Sequence, residues 1–194
     1  MTPHVTGPLT SALWDLGRGT GVVALAMFTL SLVLGIVARS GRRVPGLGRF
    51  GISDLHRTAA LTGTGLIVLH VATLLLDPFA QLRLVDLLVP FLATYRPLWL
   101  GLGTLAVDLL VVVTAASLLR HRIGPKLFRA VHWATYALWP IALLHALRAG
   151  TNSGDLWFRG LAVVCVASVV TAAAWRLAPS FAERGWSRRT RRTA

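Results

Sequence analysis

Charge is scarce in this chain of 194 residues, and acidic charge scarcest: Asp and Glu number 7 against 20 Lys and Arg, and all charged residues make up 14%. Soluble domains carry about 25% charge. A water-soluble chain with 55% hydrophobic residues would expose large apolar patches, so a soluble globular enzyme is excluded. So is disorder, which requires few apolar residues. Cysteine is nearly absent: with Cys165 alone there is no internal disulfide and no cysteine-based metal cluster. Lysine is also nearly absent, leaving Lys126 among arginines. Internal repeats are lacking. So is a signal peptide, because no basic segment leads the chain and Pro3 and Pro8 precede any apolar run.

What the chain has is long apolar runs. A membrane span needs about 20 mostly apolar residues. Five segments qualify: Thr20 to Ala38, Ser53 to Leu76, Leu98 to Leu119, Phe128 to Leu147, and Trp157 to Leu177. The expected fold is an all-α integral membrane bundle of five helices. One side of these spans gathers Arg39, Arg42, Arg43, Arg49, Arg57, Arg120, Arg122, Lys126, Arg129, Arg176 and the arginine tail, and nets +13 with Asp54 and Glu183 included. The other side nets +1, and Asp108 lies inside the third span. Positive charge stays on the cytoplasmic side, which puts the N-terminus outside and the C-terminus inside a multi-pass plasma-membrane protein. Residues 1–178 form one domain and 179–194 a basic cytoplasmic tail, read as an anchor near anionic lipid. With no aromatic residue interleaved among its arginines beyond Trp186, the tail makes a poor nucleic-acid arm. The segment from Asp77 to Pro97 is the one long loop and reads as an interfacial helix broken at Pro90, or as an ordinary connection.

Of six histidines, His4 and His121 fall outside the spans, and four fall on only two of them: His56 and His70 on the second, His132 and His145 on the fourth. Ionisable groups inside a membrane need a partner. His56 and His132 sit roughly 6 Å above the inner ends of their spans, and the other two lie about 20 Å further out. If the two helices are neighbours, this makes one pair near each leaflet. Fourteen residues at 100° return His70 to within about 40° of the face of His56, whereas thirteen leave His145 about 140° away from that of His132. Pro140 lies between His132 and His145 and permits a kink that re-aims the second ring. Zinc requires three or four protein ligands in one cluster, which two pairs so far apart cannot supply. Haem requires two axial ligands, and two histidines at each depth suit two haems. Ala59, Ala60, Gly63 and Gly65, and Ala134, Ala137, Ala142 and Ala146, are small residues that let a flat ring approach. The alternative, four hydrogen-bonded core histidines, leaves the absence of histidine from the other three spans unexplained. With both axial positions filled by protein, electron transfer is favoured over oxygen binding.

The double spacing, His-x13-His then His-x12-His, resembles that of the ferric reductase-like transmembrane family, which includes NADPH oxidases and the haem-binding membrane subunit of bacterial methionine-sulfoxide reductase. Local matches are LHRTAALTGTGLIVLH, DPF, RPLWLGLGTLAVDLL and FRAVHWATYALWPIALLH, across about residues 50 to 150. The resemblance implies a cytochrome b with His56 and His132 on an inner b-type haem iron and His70 and His145 on an outer one. It implies electron flow from a cytoplasmic flavoprotein or membrane quinol to an external acceptor, in an oxidoreductase component. Alternatives are a quinol-oxidising membrane subunit of a larger reductase and a non-enzymatic haem sensor or assembly protein. The family core has six spans, and the first is lacking here. The flavin and NADPH domains of larger relatives are also lacking, so no flavin is expected in this chain. Arg57 and Arg129 are candidates to pair with the propionates of the inner haem, and Arg83, Arg96 and Arg148 with those of the outer one. For Arg57 and Arg129 the alternative is topology and headgroup contact, and for Arg83, Arg96 and Arg148 it is docking of an acidic acceptor. Asp108 is a candidate to relay a proton or bond a polar cofactor group, or else to make a buried hydrogen bond to Thr104, a backbone group or another span. Trp133, Tyr136 and Trp139 are candidates to line haem pockets, Trp99, Trp157 and Trp175 interface anchors, and Cys165 packing.

Overall fold

A computed structural model describes residues 8–40, 46, 48–78, 80, 82–179 and 181. His4, Arg42, Arg43 and the tail residues Glu183, Arg184, Trp186, Arg188, Arg189, Arg191 and Arg192 lie outside the described residues. Among the described residues every regular element is helical: α1 (Pro8–Ser40), α2 (Arg49–Leu76), α3 (Leu84–Leu88), α4 (Pro97–Leu118), α5 (Arg120–His132), α6 (Thr135–Ala149) and α7 (Leu156–Leu177), with one 3₁₀ turn, Thr151–Gly154, before α7. Pro8 and Pro97 each occupy the first position of their helix, where the missing N–H is harmless.

Four helices are long and apolar enough to cross a membrane, over Ser11–Ser40, Phe50–Leu76, Pro97–Leu118 and Leu156–Leu177. The stretch expected as a fourth of five continuous spans is instead divided. α5 ends at His132, Trp133 and Ala134 form a tight turn, and α6 has 15 residues, about 22 Å of rise. The break therefore falls at Trp133–Ala134, and Pro140 lies inside α6. Its cause is local. Thr135 Oγ1 donates to the His132 carbonyl at 2.8 Å, and the backbone closes with i→i−3 bonds from Ala134 to Val131, Tyr136 to Trp133 and Ala137 to Ala134. α5 bends again at Gly124, whose φ of 76° puts it in the left-handed region just before Pro125. No residue of α5 is buried.

α1 is the centre of the bundle, packed along α2 and against α6 and α7, while α4 packs on α6 and α5. The core sits where α1, α6 and α7 meet: Leu25, Trp139, Leu143, Ala162 and Cys165 form one buried cluster. Trp139 Nε1 donates to Thr29 Oγ1 at 2.9 Å, which satisfies its indole away from water. Cys165 is packing, as expected, and Trp139 is a core residue more than a pocket wall.

The loop after α2 contains the expected helix, reduced to the five residues of α3. Val89 is extended, as the residue before a proline tends to be, and ends it. Leu84, Leu88 and Leu92 are exposed. Inward, the loop is fastened to α4 twice. Thr104 Oγ1 donates to the Asp86 carbonyl at 2.7 Å, and Gly101 leaves room for Phe91. The carboxylate of Asp86 is buried and takes a fork of bonds from Arg83, at 3.0 Å from Nε and 2.7 Å from Nη2. Those bonds hold the Asp86 carboxyl below the usual carboxylate range.

Candidate functional site

The four span histidines come together in two pairs. His56 on α2 and His132 at the end of α5 have ring centroids 6.3 Å apart with planes at 78°. His70 on α2 and His145 on α6 line one cavity of about 260 Å³, walled by apolar residues of α1, α2, α4 and α6 and roofed by the loop around α3. The condition that α2 and the fourth span be neighbours holds at the rings: His132 meets His56 of α2, and α2 and α6 face each other across the cavity, while the main packing is of α2 on α1 and of α6 on α4 and α1.

The break before α6 contributes to the aim of His145. A residue wound with i→i−3 bonds turns about 120° instead of 100°. Three such bonds between Val131 and Ala137 recover roughly 60° of the 140° mismatch. The rewinding expected at Pro140 occurs one to two turns earlier.

Three of the rings are held in one way. His56 Nδ1 donates to the Ser31 carbonyl at 2.7 Å, His70 Nδ1 to the Gly17 carbonyl at 2.6 Å, and His145 Nδ1 to the Trp99 carbonyl at 2.8 Å. A proton on Nδ1 leaves the Nε2 lone pair for a metal, and the carbonyl raises its basicity. Four residues beyond each accepting carbonyl stands a glycine. A Cβ on Gly35 would lie 3.2 Å from the His56 ring, one on Gly21 2.9 Å from that of His70, and one on Gly103 2.5 Å from that of His145. A helical side chain covers the turn on the N-terminal side of its own Cα. Glycine at i+4 therefore uncovers the carbonyl of residue i, which accepts a second hydrogen bond from the neighbouring helix. These glycines lie on α1 and α4, not on the histidine helices where small residues were expected. Gly63 instead makes room for Phe28, and Gly65 faces open space, while Ala142 and Ala146 do line the cavity.

His132 is held differently. Its Nδ1 is buried without a hydrogen-bond partner, and its ring stacks on Phe128 at 5.3 Å. Two imidazoles on opposite sides of one metal, each bonded at about 2.0 Å, have ring centres roughly 6.4 Å apart. The His56–His132 separation suits that arrangement, and the apolar cavity between His70 and His145 suits a flat apolar cofactor.

The arginines are less convergent. Arg57 and Arg129 are exposed, and Arg129 Nε donates to the Pro125 carbonyl at 3.1 Å. Arg83 is engaged by Asp86, Arg96 donates to the Arg148 carbonyl at 2.9 Å, and Arg148 lies over Trp99 at 5.1 Å. Thr104 bonds Asp86, so the expected Thr104–Asp108 bond is not formed; Asp108 is half-buried on α4. Trp133 and Tyr136 belong to a cluster at the α5–α6 break. Arg176 of α7 lies 4.8 Å from the Trp133 ring and donates to Tyr136 Oη at 2.6 Å.

A family model described as ferric reductase like transmembrane component matches residues 20–143. That stretch takes in His56, His70 and His132 and stops two residues short of His145. No curated protein and no solved structure gives a significant match. The match covers well over half of the chain, and the helical bundle with its membrane-crossing helices accords with it. The chain is a multi-pass membrane protein of the ferric reductase-like transmembrane component family, whose domains generally bind haem and transfer electrons across membranes.

Proposed function

We propose that the chain transfers electrons across the plasma membrane through two b-type haems, one held by His56 and His132 near the cytoplasmic face and one by His70 and His145 near the outer face. The carrying observation is the recurrent tie of Nδ1 to a helix carbonyl, which fixes three rings with Nε2 directed away from the tie. Four merely structural core histidines have no need of pairing at two depths.

In this reading α5 and α6 together make the fourth of five crossings, the N-terminus lies outside, and residues 179–194 form a cytoplasmic tail behind the domain at 1–178. A haem held by each pair of histidines would supply a one-electron carrier. The chain's own residues do the rest. Carbonyls of Ser31, Gly17 and Trp99 orient the rings, and the apolar walls around His70 and His145 keep water from the outer site. Arg57 and Arg129 are the cations next to the inner histidines in sequence and are proposed to meet the inner propionates. The exposed cations of α5, Arg120, Arg122, Lys126 and Arg129, offer an acidic flavoprotein a docking face that weakens with salt. A membrane quinol is the other donor compatible with this geometry.

Purified from haem-replete cells, the chain is expected to hold about two low-spin haems. A quinol or a flavoprotein should reduce them anaerobically, and a membrane-impermeant acceptor outside proteoliposomes should reoxidise them. A haem-to-chain ratio near zero overturns the reading.

The charge asymmetry carries a separate prediction. A reporter active only in the cytoplasm should work when fused after Ala194, and one active only outside should work within the Asp77–Pro97 loop. The opposite pattern reverses the direction of electron flow.

A further inference from the structure

α4 carries a carboxylic acid in mid-membrane that no described group of the chain meets. Asp108 lies half-way along this helix of 22 residues, about 16 Å from its start at Pro97, and so near the middle of the bilayer. Other acids have neighbours of opposite charge or donors at hand. Arg83 holds Asp86, Asn152 donates to Asp155 at 2.7 Å, and Arg18 lies 3.9 Å from Asp15. Among the described residues Asp108 has no hydrogen-bond or ionic partner, and its oxygens are not enclosed by the fold. Nor does it line the cavity of His70 and His145. An ionisable group at that depth is costly and calls for a partner.

The rest of α4 shows where that partner stands. The helix packs on α6, α5 and α3, and turns Leu100, Gly103, Val107 and Leu110 to the cavity. Asp108, Val111, Ala115 and Leu118 follow one another at steps of three and four residues, and so share a different strip. Val111, Ala115 and Leu118 are exposed, as is Val112 beside them. A repeat of three and four on an unpacked face is the pattern by which one helix seats on another, and the small Ala115 lets two backbones approach. Lipid covers the apolar members of the strip equally well, but it has nothing to offer the carboxyl of Asp108.

We propose that two copies of this chain pair through α4 about a two-fold axis normal to the membrane, with Asp108 of one copy hydrogen-bonded to the partner's Asp108. Copies of one chain insert in one orientation, so such an axis brings identical residues together at one depth. Two carboxyl groups that meet there bond through a shared proton and need no further group. No Lys or Arg of this chain lies in the middle of a span, so the acid itself is what a second copy brings to that depth. The proposal is independent of the haem reading.

The test follows energy transfer between copies of the full chain tagged after Ala194 with far-red donor or acceptor fluorophores, in phosphatidylcholine–phosphatidylglycerol vesicles, as protein is diluted in lipid. Helical circular dichroism checks that each variant is folded. The parent chain should follow a monomer–dimer curve. Asp108→Leu should raise the dissociation constant roughly three- to thirtyfold, the range of an interhelical hydrogen bond in a membrane. Asp108→Asn, whose amide bonds its own copy, should stay close to the parent. Ala115→Phe, on the strip, should weaken pairing, and Val163→Phe, at an exposed position of α7, should not. A parent chain without transfer at any dilution overturns the pairing. An Asp108→Leu constant equal to the parent's overturns the acid pair, and if Ala115→Phe is also without effect the contact lies on another face. Asp108→Asn weakened as much as Asp108→Leu also overturns the acid pair, since it shows a carboxylate that requires a cation.

Discussion

Alanine at His70 or His145 should lower the haem content of the purified chain from about two per chain to about one, with the inner site retained. The two sites are separated by about 20 Å of helix rise, and distant sites perturb each other little. The loss at the altered site should be nearly complete. Removing only a second-sphere partner of a metal ligand typically costs 10–100-fold in affinity, and these changes remove the ligand itself. Alanine at His56 or His132 should do the reverse. The inner variants differ in what they leave behind. His56→Ala frees the Ser31 carbonyl and hydroxyl, both of which bond that ring. His132→Ala removes a ring whose Nδ1 has no partner and whose contacts are Phe128 and His56, so it should fold the better of the two. Haemochrome assay and low-spin absorbance measure both effects. Equal loss from both sites in every variant, or no loss in any, contradicts the pairing.

The pairing was legible in the sequence because histidine is rare inside membranes and fourteen residues bring a helix almost back to the same face. The helical class and the multi-pass organisation were legible from apolar length alone. The break at Trp133–Ala134 was not. It depends on a threonine hydroxyl taking a backbone carbonyl and on three shortened hydrogen bonds, while Pro140 drew attention away from it. The glycine cradles were hidden for another reason: each belongs to a helix that carries none of the four histidines. Their signal exists as pairs four residues apart, Gly17 with Gly21, Ser31 with Gly35 and Trp99 with Gly103. The pairs acquire meaning only once the neighbouring helix is known.

Gly103→Ala should cost the outer site most of its haem, although a glycine-to-alanine change inside a helix ordinarily stabilises it by about 1 kcal/mol. Two effects oppose each other here, and the structure decides between them. A Cβ at residue 103 would lie 2.5 Å from His145 Cε1 and 2.6 Å from Nδ1. The ring cannot yield cheaply, because its Nδ1 is bonded to the Trp99 carbonyl one turn earlier on the same helix and would lose that bond on moving. Overpacking of this kind costs about 1–3 kcal/mol, and the lost hydrogen bond about 1 kcal/mol more. The sum exceeds the helix-propensity gain, so the ring moves or the helices separate, and either change takes Nε2 away from its place. The expected result is a chain that still folds, holds the inner haem, and shows a weakened or five-coordinate outer site. Gly160→Ala is the matched control, since nothing lies within 4 Å of its added Cβ, and it should leave both sites unchanged. Absorbance and haem counts on the two variants measure the contrast. An outer site as full in Gly103→Ala as in Gly160→Ala would show that His145 is not held by this turn of α4.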